Sequence, residues 1–200
     1  MNKIITVSRE FGSGGREFAK KLADCLGYKY YDKEIITKIA EETNLNENYI
    51  QNILNSDISN QFNFSYAHTF SYINQLNTSI EILNLQDKIL NEIATNENAV
   101  ILGRAADIVL EKYKPFKIFI YASDEYKLQR TRKNEINDPN ISDKELLKKI
   151  KKIDKNRASN YDLISSTSWG NKENYDLCIN TSFINIDEIV PLIAEYIKKH

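Results

Sequence analysis

Apolar residues in this chain follow two alternating rhythms. Short β-branched and aromatic runs at 3–7, 28–31, 99–102, 116–121 and 175–180 predict strands. Between them apolar positions recur every three or four residues, as on one face of a helix. This alternation predicts an α/β fold, a parallel sheet with helices on both faces. The last helix shows the logic. Asp187 and Glu188 lie at its start and Lys198 and Lys199 at its end, each sign where the helix dipole favours it. Ile189, Val190, Ile193 and Ile197 form its buried stripe, and Pro191 is assigned to the first turn, where a missing N–H forfeits no bond.

A long insertion separates the second and third strands. Residues 32–43 read as a helix, 46–55 as a shorter one, and 68–95 as a long amphipathic one carrying Ile73, Leu76, Ile80, Leu83, Leu90 and Ile93. That stripe can be buried internally or against a second copy, so a homodimer is left open. The polar stretch 57–66, punctuated by Phe62, Phe64 and Tyr66, reads as a capping loop whose aromatics suit packing better than base stacking. After the fourth strand, 124–133 carries Lys127, Arg130, Arg132 and Lys133, and Asn137-Asp138-Pro139-Asn140 breaks the chain. Ser142 and Glu145 match a capping box. The helix it starts should bury Leu146, Ile150 and Ile153 and bring Asp154 and Arg157 to one face. With no internal repeat and no Gly/Ser linker, 1–200 is expected to be a single domain: core 1–31, 97–122 and 172–200, an insertion at 32–96 and a further helical region at 123–171.

The chemistry starts at the first strand. Ile4 to Val7 run into Ser8-Arg9-Glu10-Phe11-Gly12-Ser13-Gly14-Gly15-Arg16-Glu17, a glycine-rich turn opening a helix over 16–26. In this context backbone N–H groups can cradle phosphate at a positive helix end. The pattern G-x-x-x-x-G-K-[ST] is not met, because Arg16-Glu17 stand in place of a Lys-Ser/Thr pair. Taken alone, the turn fits an ordinary α/β domain equally well. A net charge of −1 argues against a surface that coats nucleic acid. The opening apolar run ends at Ser8-Arg9-Glu10, too short for a signal peptide or membrane span, so no membrane partner and a cytoplasmic location are expected. Cys25 and Cys178 lack metal-ligand spacing and are expected as buried free thiols. His68 and His200 are too isolated to form a catalytic base or a metal cluster.

The arginines are placed more tellingly than their number implies. Arg16 opens the first helix, Arg104 follows the third strand, Arg130 follows the fourth, and Arg157 ends the capped helix. Ligands of open parallel sheets bind beyond the carboxyl ends of the strands. Any one of these residues could be a solvated surface charge. Several converging on one edge beside a glycine loop predict a polyphosphate site, because guanidinium binds phosphate oxygens bidentately and stays charged.

Six stretches, in this order and spacing, carry a resemblance. They are S-R-E-F-G-S-G-G-R-E (8–17), Y-Y-D-K-E (30–34), V-I-L-G-R (100–104) with Ala106-Asp107, D-K-N-R-A-S (154–159), Trp169-Gly170 and N-Y-D-L-C-I-N-T (174–181). Over nearly its whole length the chain resembles the cytidylate kinase-like family of P-loop kinases. The resemblance implies a three-layer fold with a five-stranded parallel core, a helical acceptor-binding region after the second strand and an arginine-bearing lid after the fourth. It implies transfer of the γ-phosphoryl of Mg-ATP to a nucleoside monophosphate, CMP or dCMP foremost. Gly12, Ser13, Gly14 and Gly15 would hold the donor phosphates, with Arg16 as the candidate replacement for the loop lysine. Arg130 resembles the lid arginine that contacts ATP. Arg104, Asp154, Arg157 and Lys38 match acceptor-binding positions, and Arg16, Arg130 and Arg157 are the catalytic candidates. Mg²⁺ is implied with ATP, and its protein ligands are left unassigned, Glu17 being one option; Asp107 is read as a local cap or pair. The departure at Arg16-Glu17 keeps two alternatives in play, a nucleotide-binding regulatory protein without transfer and a kinase of a non-nucleotide metabolite.

Overall fold

The computed structural model describes the backbone of residues 3–56, 70–134 and 141–199, and their side chains except those of 70–76 and 134. The loop expected at 57–66 with Phe62, Phe64 and Tyr66, the break at 137–140, and both histidines therefore lie outside the described residues, as do the side chains of Ile73 and Leu76.

The elements run β1 (Ile4–Arg9), α1 (Gly15–Leu26), β2 (Lys29–Tyr31), α2 (Glu34–Thr43), α3 (Glu47–Asn55), α4 (Phe70–Asn96), β3 (Ala99–Leu102), a short α5 (Ala106–Val109), β4 (Phe116–Tyr121), α6 (Asp124–Asn134), α7 (Asp143–Asp162), β5 (Leu177–Asn180) and α8 (Ile186–Lys199). The five strands form one sheet in the order β2-β3-β1-β4-β5, with every pairing parallel. Alternation along the strands divides the core into two layers. Ala99 and Ile101 face the cluster built with α2, α3 and α4. Val100 and Leu102 face the cluster built with α1 and α8. Ile82, Ile89, Leu90 and Ile93 of α4 are buried within this chain.

β1 is longer than its apolar pattern implied. Ser8 and Arg9 continue the strand because β4 pairs with them, at Phe119 and Ile120. Arg9 therefore shares the α1-covered face of Ile5 and Val7 and ends the central strand at its carboxyl edge. Three other expectations need correction. α8 starts at Ile186, so Pro191 lies inside the helix rather than in its first turn and forfeits the bond its N–H would make to the Asp187 carbonyl. Cys25 is exposed, because α1 turns Phe18, Ala19, Leu22, Ala23 and Leu26 inward and leaves Cys25 on the outer side. Cys178 is half-buried, on the edge strand β5.

The Ser142–Glu145 capping box forms and starts α7. Leu146 and Ile150 pack with Ile141 beneath Phe11 and Leu128, a small core of their own. Ile153, expected in that core, is instead half-buried and faces the cavity described next.

Candidate active site

A cavity of about 410 Å³ opens beyond the carboxyl ends of β1, β2 and β3, within the size range of small-molecule sites. Arg9, Arg16, Arg104 and Arg157 line it together with Asp32 and, from the far side, Trp169. The sheet dictates this gathering, since each strand delivers its following residue to the same edge.

The glycine loop wraps the start of α1. Gly12 (φ 74°) and Gly14 (φ 84°) are left-handed, a region costly to residues with a Cβ. A Cβ on Gly12 would stand 2.7 Å from Thr131 Oγ1 of α6, and one on Gly14 would stand 2.7 Å from Ile186 Cδ1 and 3.3 Å from Arg130 Cζ. Gly14 occupies the N-cap with no side chain capping it, so the first-turn N–H groups of α1 lack the usual side-chain acceptor. The Ser13 hydroxyl turns inward, donating to the Glu10 carbonyl at 2.8 Å, so this residue offers the site its backbone alone.

The basic residues divide into two groups. Arg16 Nε donates to Asp32 Oδ2 at 2.7 Å, with Asp32 buried and 60% of the Arg16 side chain exposed. Arg157 Nη1 donates to Asp154 Oδ1 and to the Arg9 carbonyl, both at 3.1 Å, and its guanidinium lies 5.7 Å from the Phe11 ring centroid. Asp154 also accepts from the Phe11 N–H at 2.7 Å, tying α7 to the loop from behind the cavity wall. Burial raises the Asp154 carboxyl above its ordinary range, and Arg157 opposes that. Arg104 sits in a run of three left-handed residues, Gly103 (φ 70°), Arg104 (φ 61°) and Ala105 (φ 46°). Holding two non-glycine residues there stores on the order of 1–3 kcal/mol each.

Arg130 belongs to a different cluster. It pairs with Glu17, which also accepts from Lys21 at 2.5 Å, and Lys21 in turn reaches Asp187 at 2.5 Å. The Lys21 hydrogen bond leads in holding the Glu17 carboxyl below its ordinary value, with Arg130 adding to it. Arg130 thus lies against Gly14, outside the cavity wall. Lys38 is not brought to the site: it projects from the exposed side of α2, 5.6 Å from the Tyr31 ring centroid. Lys33, at the start of the same helix, lines the cavity instead.

Arg9 lies outside the residues to which the motifs give a role. Its side chain runs beneath Gly15 and on to Gly103, with Nη1 only 1.9 Å from where a Gly103 Cβ would stand. Burial, then the Arg157 charge and in smaller measure Arg104 and Arg16, push its pKa well below the ordinary arginine value, against the pull of Asp32. The findable signal was the alternation Ile5, Val7, Arg9 on one strand face. Two further residues went unassigned. From α4, Gln86 lines the cavity with a buried, unpartnered Oε1, beside Asp87, whose pKa burial raises. Asp107, expected to cap or pair locally, is instead buried at 1% exposure and accepts from the hydroxyl of Tyr161, a distant residue on α7, at 2.9 Å.

Among the described residues no group of three or more His, Cys, Asp or Glu side chains is arranged to hold a metal. The donor set fits an ion that arrives with phosphates and keeps most of its waters, as Mg²⁺ does. Asp32 is the carboxylate on the cavity wall that could meet it, although Arg16 pairs with one of its oxygens, whereas Glu17 is engaged by Lys21 and Arg130 and does not line the cavity.

Comparison with known proteins agrees with this architecture. Residues 4–183 match the model of the cytidylate kinase-like family. A cytidylate kinase from Fervidobacterium nodosum is 28% identical, aligned over 100% of this chain and 98% of its own. Among solved structures, an uncharacterized protein from Eubacterium ventriosum superposes with a TM-score of 0.73 at 25% identity, covering 100% of both chains. The shikimate kinase of Bacteroides thetaiotaomicron shares the fold, with a TM-score of 0.58 at 16% identity over 98% of each chain. A match that runs through all five strands of the core and both helical regions leaves one conclusion: the chain belongs to the cytidylate kinase-like family.

Proposed function

We propose that this protein transfers the γ-phosphoryl group of Mg-ATP to a nucleoside monophosphate, CMP or dCMP foremost. The observation that carries the reading is the convergence of Arg9, Arg16, Arg104 and Arg157 on one cavity next to the glycine loop. Such an excess of guanidinium calls for ligands that carry several negative charges, as two phosphate-bearing molecules would. The likeness to a cytidylate kinase supports the choice of acceptor.

The backbone of Gly12, Ser13, Gly14 and Gly15 and the uncapped start of α1 receive the donor phosphates. Arg130, resting on Gly14, closes over them once Glu17 releases it. Arg104 and Arg157 bind the acceptor phosphate, and Asp154 orients Arg157. Mg²⁺ entering with the triphosphate would be held by Asp32 and would neutralise charge on the β- and γ-phosphates. An acceptor that is itself a phosphate needs no strong base, so positioning and charge neutralisation suffice. Lys38 has no part in this scheme.

The test is ADP release from Mg-ATP in a coupled assay across CMP, dCMP, UMP, AMP and GMP, with a no-acceptor blank and Arg16→Ala. Acceptor-dependent turnover led by CMP or dCMP is expected. A second reading, nucleotide binding without transfer, draws on Arg16 and Arg130 each being held by a carboxylate. ATP binding with no product from any acceptor, sugars and small alcohols included, would favour it.

A further inference from the structure

The loop has exchanged the positions of its cation and its leading glycine. Gly14 caps α1 and corresponds to the second glycine of G-x-x-x-x-G-K-[ST]. Counting from there, Gly15 stands where that pattern has its lysine and Arg9 where it has its first glycine. The two changes fit together in space. A Cβ on residue 15 would stand 2.4 Å from Arg9 Cβ and 2.8 Å from its Cγ, so the Arg9 stem fills the volume from which a lysine at 15 would rise. The Arg9 side chain then crosses to Gly103 along the cavity floor, between the glycine loop and the wall bearing Arg104 and Arg157.

Its pairing is equally telling. Arg16 is bonded to Asp32 and Arg157 to Asp154. Among the described residues the Arg9 guanidinium, like that of Arg104, finds no hydrogen-bond acceptor and no ion-pair partner, and three other guanidiniums press on Arg9 against the partial pull of the Asp32 carboxylate. A desolvated cation in that setting is stabilised by an arriving anion.

We propose that Arg9 replaces the absent loop lysine and grips the phosphoryl group in transit between donor and acceptor, while Arg16 serves to position Asp32. The inference rests on the phosphoryl-transfer reading above. In the step itself, a lone pair on the acceptor oxygen forms the new P–O bond. The bond from the γ-phosphorus to the bridging oxygen breaks, and its electron pair leaves with ADP. Arg9 donates hydrogen bonds to the equatorial oxygens and gives up no proton.

Calorimetric binding of inorganic tripolyphosphate to the wild type, Arg9→Met, Arg9→Lys and Arg16→Ala tests this, with acceptor-dependent turnover of each measured in parallel. Arg9→Met should weaken binding roughly 10- to 100-fold, as loss of a charge-assisted contact does. Arg9→Lys should fall between, since an ammonium cannot form the fork, and Arg16→Ala should lose less than Arg9→Met. Equal affinity in Arg9→Met and wild type, a greater loss in Arg16→Ala, or no binding to the wild type would overturn the proposal. Should Arg9→Met fail to fold, Arg9→Lys carries the comparison, and affinity equal to wild type there overturns it too. Tripolyphosphate binding lost in Arg9→Met, from a wild type that phosphorylates no acceptor, would uphold Arg9 as the phosphate grip and remove the kinase reading. Wild-type turnover retained in Arg9→Met would do the reverse.

Discussion

Arg157 holds Asp154, the carbonyl of Arg9 and the face of Phe11 at once, so it joins α7 to both the loop and the central strand. Arg157→Ala should lower kcat/KM for the preferred nucleoside monophosphate by about 10³-fold or more, the scale of a transition-state arginine. Wild-type turnover in that variant would remove Arg157 from the reaction. Gly103→Ala probes the same corner differently. The atoms in its way belong to the far end of the Arg9 side chain and not to backbone, so stability should fall only by about 1 kcal/mol, the cost of a left-handed non-glycine residue. Tripolyphosphate affinity should fall with it as Arg9 is displaced, which urea unfolding and calorimetry on one sample would separate. Asp107 gives a pH test. Burial raises its pKa, outweighing the Tyr161 hydrogen bond. A folded-state pKa above the unfolded one means the native state binds more protons, so stability declines as pH rises from the ordinary carboxylate range through the raised value. Asp107→Asn should therefore be more stable than wild type at neutral pH and indistinguishable from it in acid, and a gain of the same size at both pH values would refute the assignment.

At the scale of elements, α6 and the loop are fastened together. Lys127, buried on α6, donates to Glu10 at 3.0 Å, and Thr131 of the same helix closes on Gly12. The capping box at Ser142 sets where the next helix begins, and Ser142→Ala should cost about 1 kcal/mol in chemical denaturation. The two thiols report on helix and strand placement. Cys25 should react quickly with a thiol reagent, whereas Cys178, half-buried with a pKa raised by burial, should lag well behind it; mass spectrometry of partly labelled protein distinguishes them. Element types were largely legible because the strands fall on short β-branched or aromatic runs, Ile4 to Val7 in β1 and Tyr30-Tyr31 in β2, and the helices on apolar positions recurring every three or four residues. Ends were less so. Ser8 and Arg9 look like loop until β4 is laid beside them, and Pro191 looks like a first-turn residue until Ile186 is seen to be helical. Local pattern cannot supply either partner.

Across the whole molecule, the sheet order explains how much of the site could be read in advance. Arg16, Arg104 and Arg157 meet because β1 and β3 are neighbours and α7 crosses their ends, a consequence of fold that spacing along the chain already implied. Lys38 lies five residues beyond the cavity-lining Lys33, nearly one and a half turns on, so the two point to different sides of α2, and which side meets the cavity depends on the face that α2 buries. Arg9 is not legible in the sequence because its place is defined by contacts with Gly15 and Gly103, the second of them distant along the chain.

The Arg9–Gly15 contact also bears on how relatives of this chain should vary. A side chain at either position excludes one at the other, since their Cβ atoms would stand 2.4 Å apart. Positions 9 and 15 should then change as a pair across homologous chains, arginine with glycine or glycine with lysine. Mixed combinations should be rare, and a single substitution toward the more familiar loop should be harmful where the double one is tolerated.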